Sequence, residues 1–225
     1  MRILIFDAGP LISLTLSGIL EILEKLHSFL KETSFVITPQ VKREIVDRTF
    51  LIKKYSLEAF KIQRLIDKKI LLLSTEFVKN SDLNLELSKV LSLSKNLLKA
   101  DNEKISLLHE GESSCIAFSK LVKFPSLIVT DERNVRLITE SKEALKELSE
   151  RKLHTTLKLN KKNFKYFEDL KYVRSSELVF FAFKNNLFEI EKSPEALEAL
   201  LYNLKFHGTA ISSKEIEEMK NLLFS

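Results

Sequence analysis

Four acidic residues stand where carboxylates could work together: Asp7, Glu44, Glu112 and Asp131. Asp7 directly ends the apolar run 2–6 (RILIF), and Asp131 directly ends the run 126–130 (SLIVT). Short apolar runs of this kind suit buried parallel strands. In open α/β sheets the functional crevice lies outside the carboxyl ends of the strands, so both aspartates belong at one sheet edge. Glu44 follows Pro39 by one helical turn, and Glu112 falls in the first turn of a helix over 112–123. Each acid alone has a bland use as a cap, a turn residue or a partner of the helix dipole. Gathered together they would repel and raise one another's pKa unless a cation joined them. An all-carboxylate donor set suits Mg²⁺ or Mn²⁺. Such ions activate water and clamp phosphate oxygens in phosphodiester cleavage.

The neighbours of these acids extend the reading. Glu132 is a candidate fifth ligand or simply a helix-start charge. Arg133 and Arg136, on the helix after Asp131, would neutralise phosphate or pair with nearby acids. The lysine clusters at 53–54 and 152–165 would track an RNA backbone or form a solvated face. Cys115 has no neighbouring His to activate it and reads as a small core residue.

The elements that must position these residues follow from periodicity. Strands are expected over 2–6, 35–38, 70–74 and 126–130, with a fifth, edge strand over 154–159 (HTTLKL). Helices are expected over 11–31, broken near Gly18, then after Pro39, over 51–68, and as a pair across 83–108 with a break near Asp101-Asn102. Further helices fit 112–123, 133–151, 174–186, 194–205 and 213–224. Ser193 and Ser212 read as N-terminal caps, and 160–171 as a Lys-rich loop. Strands alternating with helices imply an α/β fold: a parallel sheet of four to five strands flanked by helices, with extra C-terminal helices. The division expected is a core domain over 1–160 and a C-terminal helical extension over 161–225, packed on the same domain.

Bulk properties fit a soluble, cytoplasmic chain. The 225 residues, 44% of them hydrophobic, suffice for one sizeable core. The formal net charge of +5 permits a polyanionic partner without demanding one. One cysteine excludes an internal disulfide and a Cys-rich zinc site. The N-terminal apolar run is too short for a signal peptide, and no uncharged stretch is long enough to span a membrane.

The order of the acids and their surroundings resembles the PIN-domain family, and more narrowly the VapC-type toxin ribonucleases and their archaeal relatives. ILIFDAGPLISL resembles the family's opening strand and Asp motif. VITPQVKREIVD is similar to its second motif, a strand and Pro followed by a helix with Glu. LLHEGESSCIAFSK and LIVTDERNVRLI resemble the third and fourth. The match covers roughly residues 1–140. It implies that Asp7, Glu44, Glu112 and Asp131 bind Mg²⁺ or Mn²⁺ and that activated water attacks an RNA phosphate in line. It further implies a homodimer and, for toxin members, an inhibitory antitoxin protein. Ala8 departs from the family pattern, which often has Thr or Ser there; Ser13 or Thr130 would supply the missing hydroxyl. A catalytically silent PIN-like module that binds RNA or protein is the rival expectation.

Overall fold

A computed structural model describes residues 1–100 and 103–224. β1 (Arg2–Phe6) leads into α1 (Ala8–Leu16), α2 (Ile22–Phe29), β2 (Thr33–Ile37), α3 (Pro39–Lys42), α4 (Ser56–Asp67) and β3 (Leu71–Leu73). Next come α5 (Asn80–Ser94), β4 (Leu98–Ala100), β5 (Glu103–Lys104), α6 (Glu110–Leu121) and β6 (Ser126–Val129). The chain continues through α7 (Arg133–Glu140), α8 (Lys142–Leu153), β7 (Lys158–Leu159), α9 (Lys161–Phe164) and β8 (Tyr172–Val173). It ends with α10 (Ser175–Lys184), α11 (Pro194–Phe206) and α12 (Ser213–Phe224).

Five strands form a parallel sheet in the order β3-β2-β1-β6-β8, flanked by helices. Ile3 through Phe6 of the central β1 are all buried. Consecutive burial means both faces of the strand are covered, as parallel sheets require. Phe6 and Phe35, on neighbouring strands, meet at 5.4 Å between ring centroids. Gly18, with φ of +72°, ends the first helical segment in the left-handed region that glycine enters without a Cβ penalty. The expected helix over 11–31 is therefore two helices, α1 and α2. Ser193 and Ser212 both cap as expected: their hydroxyls accept from Ala196 N and Glu215 N. No helix among the described residues is long and apolar enough to cross a membrane.

Several expected elements fall differently. The fifth strand of the main sheet is β8, at 172–173, not the segment 154–159. Residues 158–159 instead form β7 of a separate antiparallel sheet, β5-β4-β7. The alternating pattern of HTTLKL explains this: it suits a strand with one wet face, whereas a parallel sheet wants both faces apolar. The second helix expected before 108 is replaced by β4 and β5. Leu98 is fully buried and its neighbour Lys99 exposed, an alternation that suits a strand with one covered face. The break placed near Asp101-Asn102 lies outside the described residues. The helix over 133–151 is two, α7 and α8, parted at Ser141, whose hydroxyl caps Ala144 N. The loop over 160–171 contains the short α9.

Candidate metal centre

The ladders of the main sheet set Asp7 and Asp131 side by side. Asp7 N donates to Val129 O, and Thr130 N to Val173 O, so β1 and β6 run out together at their carboxyl ends. Asp7 is buried, 4% exposed. Its Oδ1 accepts from Ala8 N at 2.8 Å, which also caps α1. Its Oδ2 accepts from the Thr130 hydroxyl at 3.0 Å. Thr130 Oγ1 in turn accepts from Glu132 N. Thr130 thus supplies a hydroxyl to the first aspartate beside Ala8.

Glu44 and Glu112 reach the same place from two helices that are locked together. Thr38 Oγ1 accepts from Val41 N and lies 2.6 Å from Ser114 Oγ, which donates to Gly111 O. This chain of hydroxyls ties the start of α3 to the start of α6. Beyond α3 the backbone widens into a π turn over 43–47, closed by the bond from Arg48 N to Arg43 O. Such π turns are frequent at functional sites. Glu44 is carried on it. Gly111 makes the convergence feasible: a Cβ there would stand 2.9 Å from Glu44 Oε2 and 3.7 Å from Asp7 Oδ1. A side chain at this position would push the Glu44 carboxylate aside, so the glycine lets Glu44 lie close to Asp7.

The electrostatics show the cost of this gathering. Burial pushes the Asp7 carboxyl up to about 6, against its bonds to Ala8 and Thr130 and with help from Glu44 and Glu132. Burial pushes Glu112 up to about 8, opposed by the His109 N–H and reinforced by Asp7, Glu132 and Glu44. Among the described residues, no Lys or Arg forms an ion pair with Asp7, Glu44, Glu112 or Glu132. Arg43 faces Glu110, Arg136 faces Glu140, and Arg133 is exposed. The Arg136 Nε is buried without a hydrogen-bond partner.

Asp131 is placed otherwise. It is buried, and its oxygens accept from Ser175 N (2.9 Å), Ser175 Oγ (2.8 and 3.0 Å) and Thr209 Oγ1 (3.2 Å). The Ser13 hydroxyl is near enough to favour its charged form as well. Burial raises its pKa, and these donors pull it back. Its carboxylate is thereby turned toward the C-terminal helices. Glu112 Oε2 is likewise engaged, accepting from His109 N at 2.7 Å. Among the described residues no group of three or more His, Cys, Asp or Glu side chains is placed as it stands to hold a metal ion. What the structure brings near one another is Asp7, Glu44 and Glu112, with Glu132 beside them, while Asp131, next to Thr130 in the chain, is turned toward Ser175 and Thr209.

Ser175 and Thr209 are the residues that sequence reasoning passes over. Ser175 begins α10, and the only signal is Glu177 three residues into the turn, whose carboxylate accepts from the Arg174 N–H. Arg174 anchors this corner, bonding Glu177, Glu215 and the Ala210 carbonyl. The C-terminal helices therefore help to build the site. Ser175→Ala removes a hydroxyl from a buried carboxylate and is expected to cost about 1–3 kcal/mol. In a chain of this size each kcal/mol lowers Tm by roughly 2–4 °C. A melting curve unchanged by the substitution would show that Asp131 does not depend on this bond.

Cys115 is fully buried beneath the site, its thiol aimed at Phe6 O and its pKa pushed well up by burial, so it is an inert core residue. A cavity of about 890 Å³ opens at the opposite sheet edge between Arg2, Thr33, Ser126 and Phe181, and none of the four acids lines it.

Comparison with family models, curated proteins and solved structures gives no match for this chain. The site is therefore read from its own chemistry. Asp7, Glu44 and Glu112 are all carboxylate donors without cationic partners, the donor chemistry that suits a hard divalent cation, but their side chains would have to draw closer together to hold one.

Proposed function

We propose that this protein is a Mg²⁺- or Mn²⁺-dependent endoribonuclease of the PIN-domain kind that its motifs resemble. The observation that carries the reading is the gathering of the buried Asp7 carboxyl and the half-buried Glu112 carboxyl, neither with a cationic partner, with Glu44 brought beside them at Gly111. Protein interiors do not collect like charges without a use for them. When bound, a divalent ion supplies Lewis-acid chemistry for phosphodiester hydrolysis. The chain's own residues do the rest. Thr130 and Ala8 N fix the Asp7 carboxylate; Ser175, Thr209 and Ser13 fix Asp131 and hold the sheet edge rigid. Arg133 and Arg136 would meet RNA phosphates. On this reading the protein acts in the cytoplasm as a homodimer, and an antitoxin protein would be its partner if it is a toxin.

A second reading, a silent PIN-like module that binds RNA or protein, is favoured by one feature. Asp131 is already satisfied by hydroxyl and amide donors, leaving three acids rather than four free to converge. Thermal melts with Mn²⁺, paired with incubation on RNA, separate the two. At an ion concentration of 100 Kd, binding adds about 2.7 kcal/mol, so Tm should rise by roughly 5–10 °C in a chain of this size. RNA should be cleaved only with the ion present. No shift with Mn²⁺ would sink both the metal site and the nuclease; a shift with intact RNA would leave the silent module.

A further inference from the structure

The small sheet β5-β4-β7 carries a charge pattern that the fold does not explain. Its register sets Lys158 of β7 opposite Lys99 of β4. Residues directly opposite in an antiparallel pair share a face. Leu98 and Leu159 pair on the other face, and Leu98 is fully buried. Lys99 and Lys158 are exposed. The Asn160 N–H donates to Leu97 O, seating the exposed Lys161 and Lys162 of α9 at the end of the same sheet. Lys95, at the end of α5, is also exposed. Among the described residues, no acidic side chain pairs with Lys95, Lys99, Lys158, Lys161 or Lys162.

Like charges directly opposite on paired strands are destabilising. Lysines on edge strands guard against edge-to-edge pairing, and that accounts for Lys158. It does not account for Lys99, which lies on the central strand. The face also lacks the apolar residues that a membrane-surface element interleaves with its lysines, since its leucines are the inward partners. An extended row of unpaired ammonium groups suits a ligand with regularly repeated negative charge.

We infer that the outer face of this sheet binds the phosphate backbone of single-stranded RNA, through Lys99 and Lys158 with the lysines of α9. The inference rests on the ribonuclease reading for its choice of polyanion. It names a binding surface built from β4 and β7, separate from the carboxylates.

The test is fluorescence anisotropy with a labelled single-stranded RNA oligonucleotide, in EDTA so that no cleavage occurs, across a salt series. Wild type is compared with Lys99→Thr, Lys158→Thr and the double variant. Each phosphate contact on a single strand contributes about 0.7 to the slope of log K against log salt. The double variant should therefore bind more weakly, with a slope shallower by about 1.4. Its Tm should equal or exceed that of wild type, because like-charge repulsion is relieved; a loss of binding through unfolding would instead lower Tm. An unchanged slope overturns the inference. So does a pattern in which the variants lose binding to phosphatidylserine vesicles but keep it for RNA. If RNA binds with the lysine-dependent slope but stays intact with Mn²⁺, the nuclease reading fails and this surface stands. If Mn²⁺ triggers cleavage and the variants bind as wild type does, the surface fails and the nuclease stands.

Discussion

Asp7→Asn is expected to lower Mn²⁺-dependent RNA hydrolysis at least about 100-fold, the upper end of what even an outer-shell partner of a metal site costs, while making the metal-free protein more stable. The two effects have one cause. Asp7 is 4% exposed and sits among other acids, so in the absence of a cation its charged form is penalised. Its carboxyl is pushed from 3.8 to about 6. Every tenfold weakening of an acid by its surroundings corresponds to about 1.4 kcal/mol. Near neutral pH the charge therefore works against folding. Asparagine keeps the shape and an oxygen for Ala8 N, and removes the charge. Thr130 loses an acceptor for its hydroxyl if the amide nitrogen faces it, which offsets part of the gain. The net expectation is about 1–3 kcal/mol of added stability in EDTA. Cleavage assays and melts on the same samples check it. Undiminished cleavage would move the chemistry away from Asp7; a fall in Tm would mean that its bonds outweigh its desolvation.

The sequence carries the sheet edge and its acids because strands and their ends are written locally. RILIF and SLIVT are unbroken apolar runs, and each stops on an aspartate; the structure puts those ends next to each other. Gly18 broke a helix where its freedom at positive φ was needed. What could not be read is long-range. The strand at 172–173 is two residues long and has no periodicity, so it is set by its pairing with Ile128 and Val129 rather than by its composition. The partners of Asp131 lie 44 and 78 residues downstream. Nothing near Ser175 or Thr209 marks them except small polar residues beside a helix start and a Gly208 turn. In sequence Asp7 and Asp131 stand out, each ending a strand, with Glu112 after them at its helix start and Glu44 last. In space Asp7, Glu44 and Glu112 share charge, and Asp131 is saturated by hydroxyls. Glu44, placed by the family likeness more than by any local signal, is nonetheless the acid that Gly111 makes room for.

Metal-free protein should lose stability as pH rises from about 4.5 to about 8, and Mn²⁺ should abolish or invert that loss. A carboxyl whose folded pKa is raised takes up a proton on folding, so its contribution is complete below the unfolded pKa and disappears as pH climbs through the folded one. For Asp7 the window runs from 3.8 to about 6 and for Glu112 from 4.5 to about 8. Burial is the main cause in both, with repulsion among the acids added. The opposite sign applies to Glu215, held down to about 2: against the pull of burial, the Ser212 N–H and Arg174 favour its charged form. That contribution is present above the unfolded pKa and is lost only on further acidification. Melting temperature in EDTA should therefore peak near pH 4.5 and decline toward 8. Glu112→Gln should remove most of the decline between 6 and 8, because Asp7 has finished titrating by then. Asp7→Asn should flatten the limb between 4 and 6 instead. With saturating Mn²⁺ both carboxylates are wanted in their charged form, so the gap between the Mn²⁺ and EDTA melting curves should widen as pH rises. A Glu112→Gln variant with the wild-type slope above pH 6 would take Glu112 out of the site and leave the metal to Asp7 and Glu44.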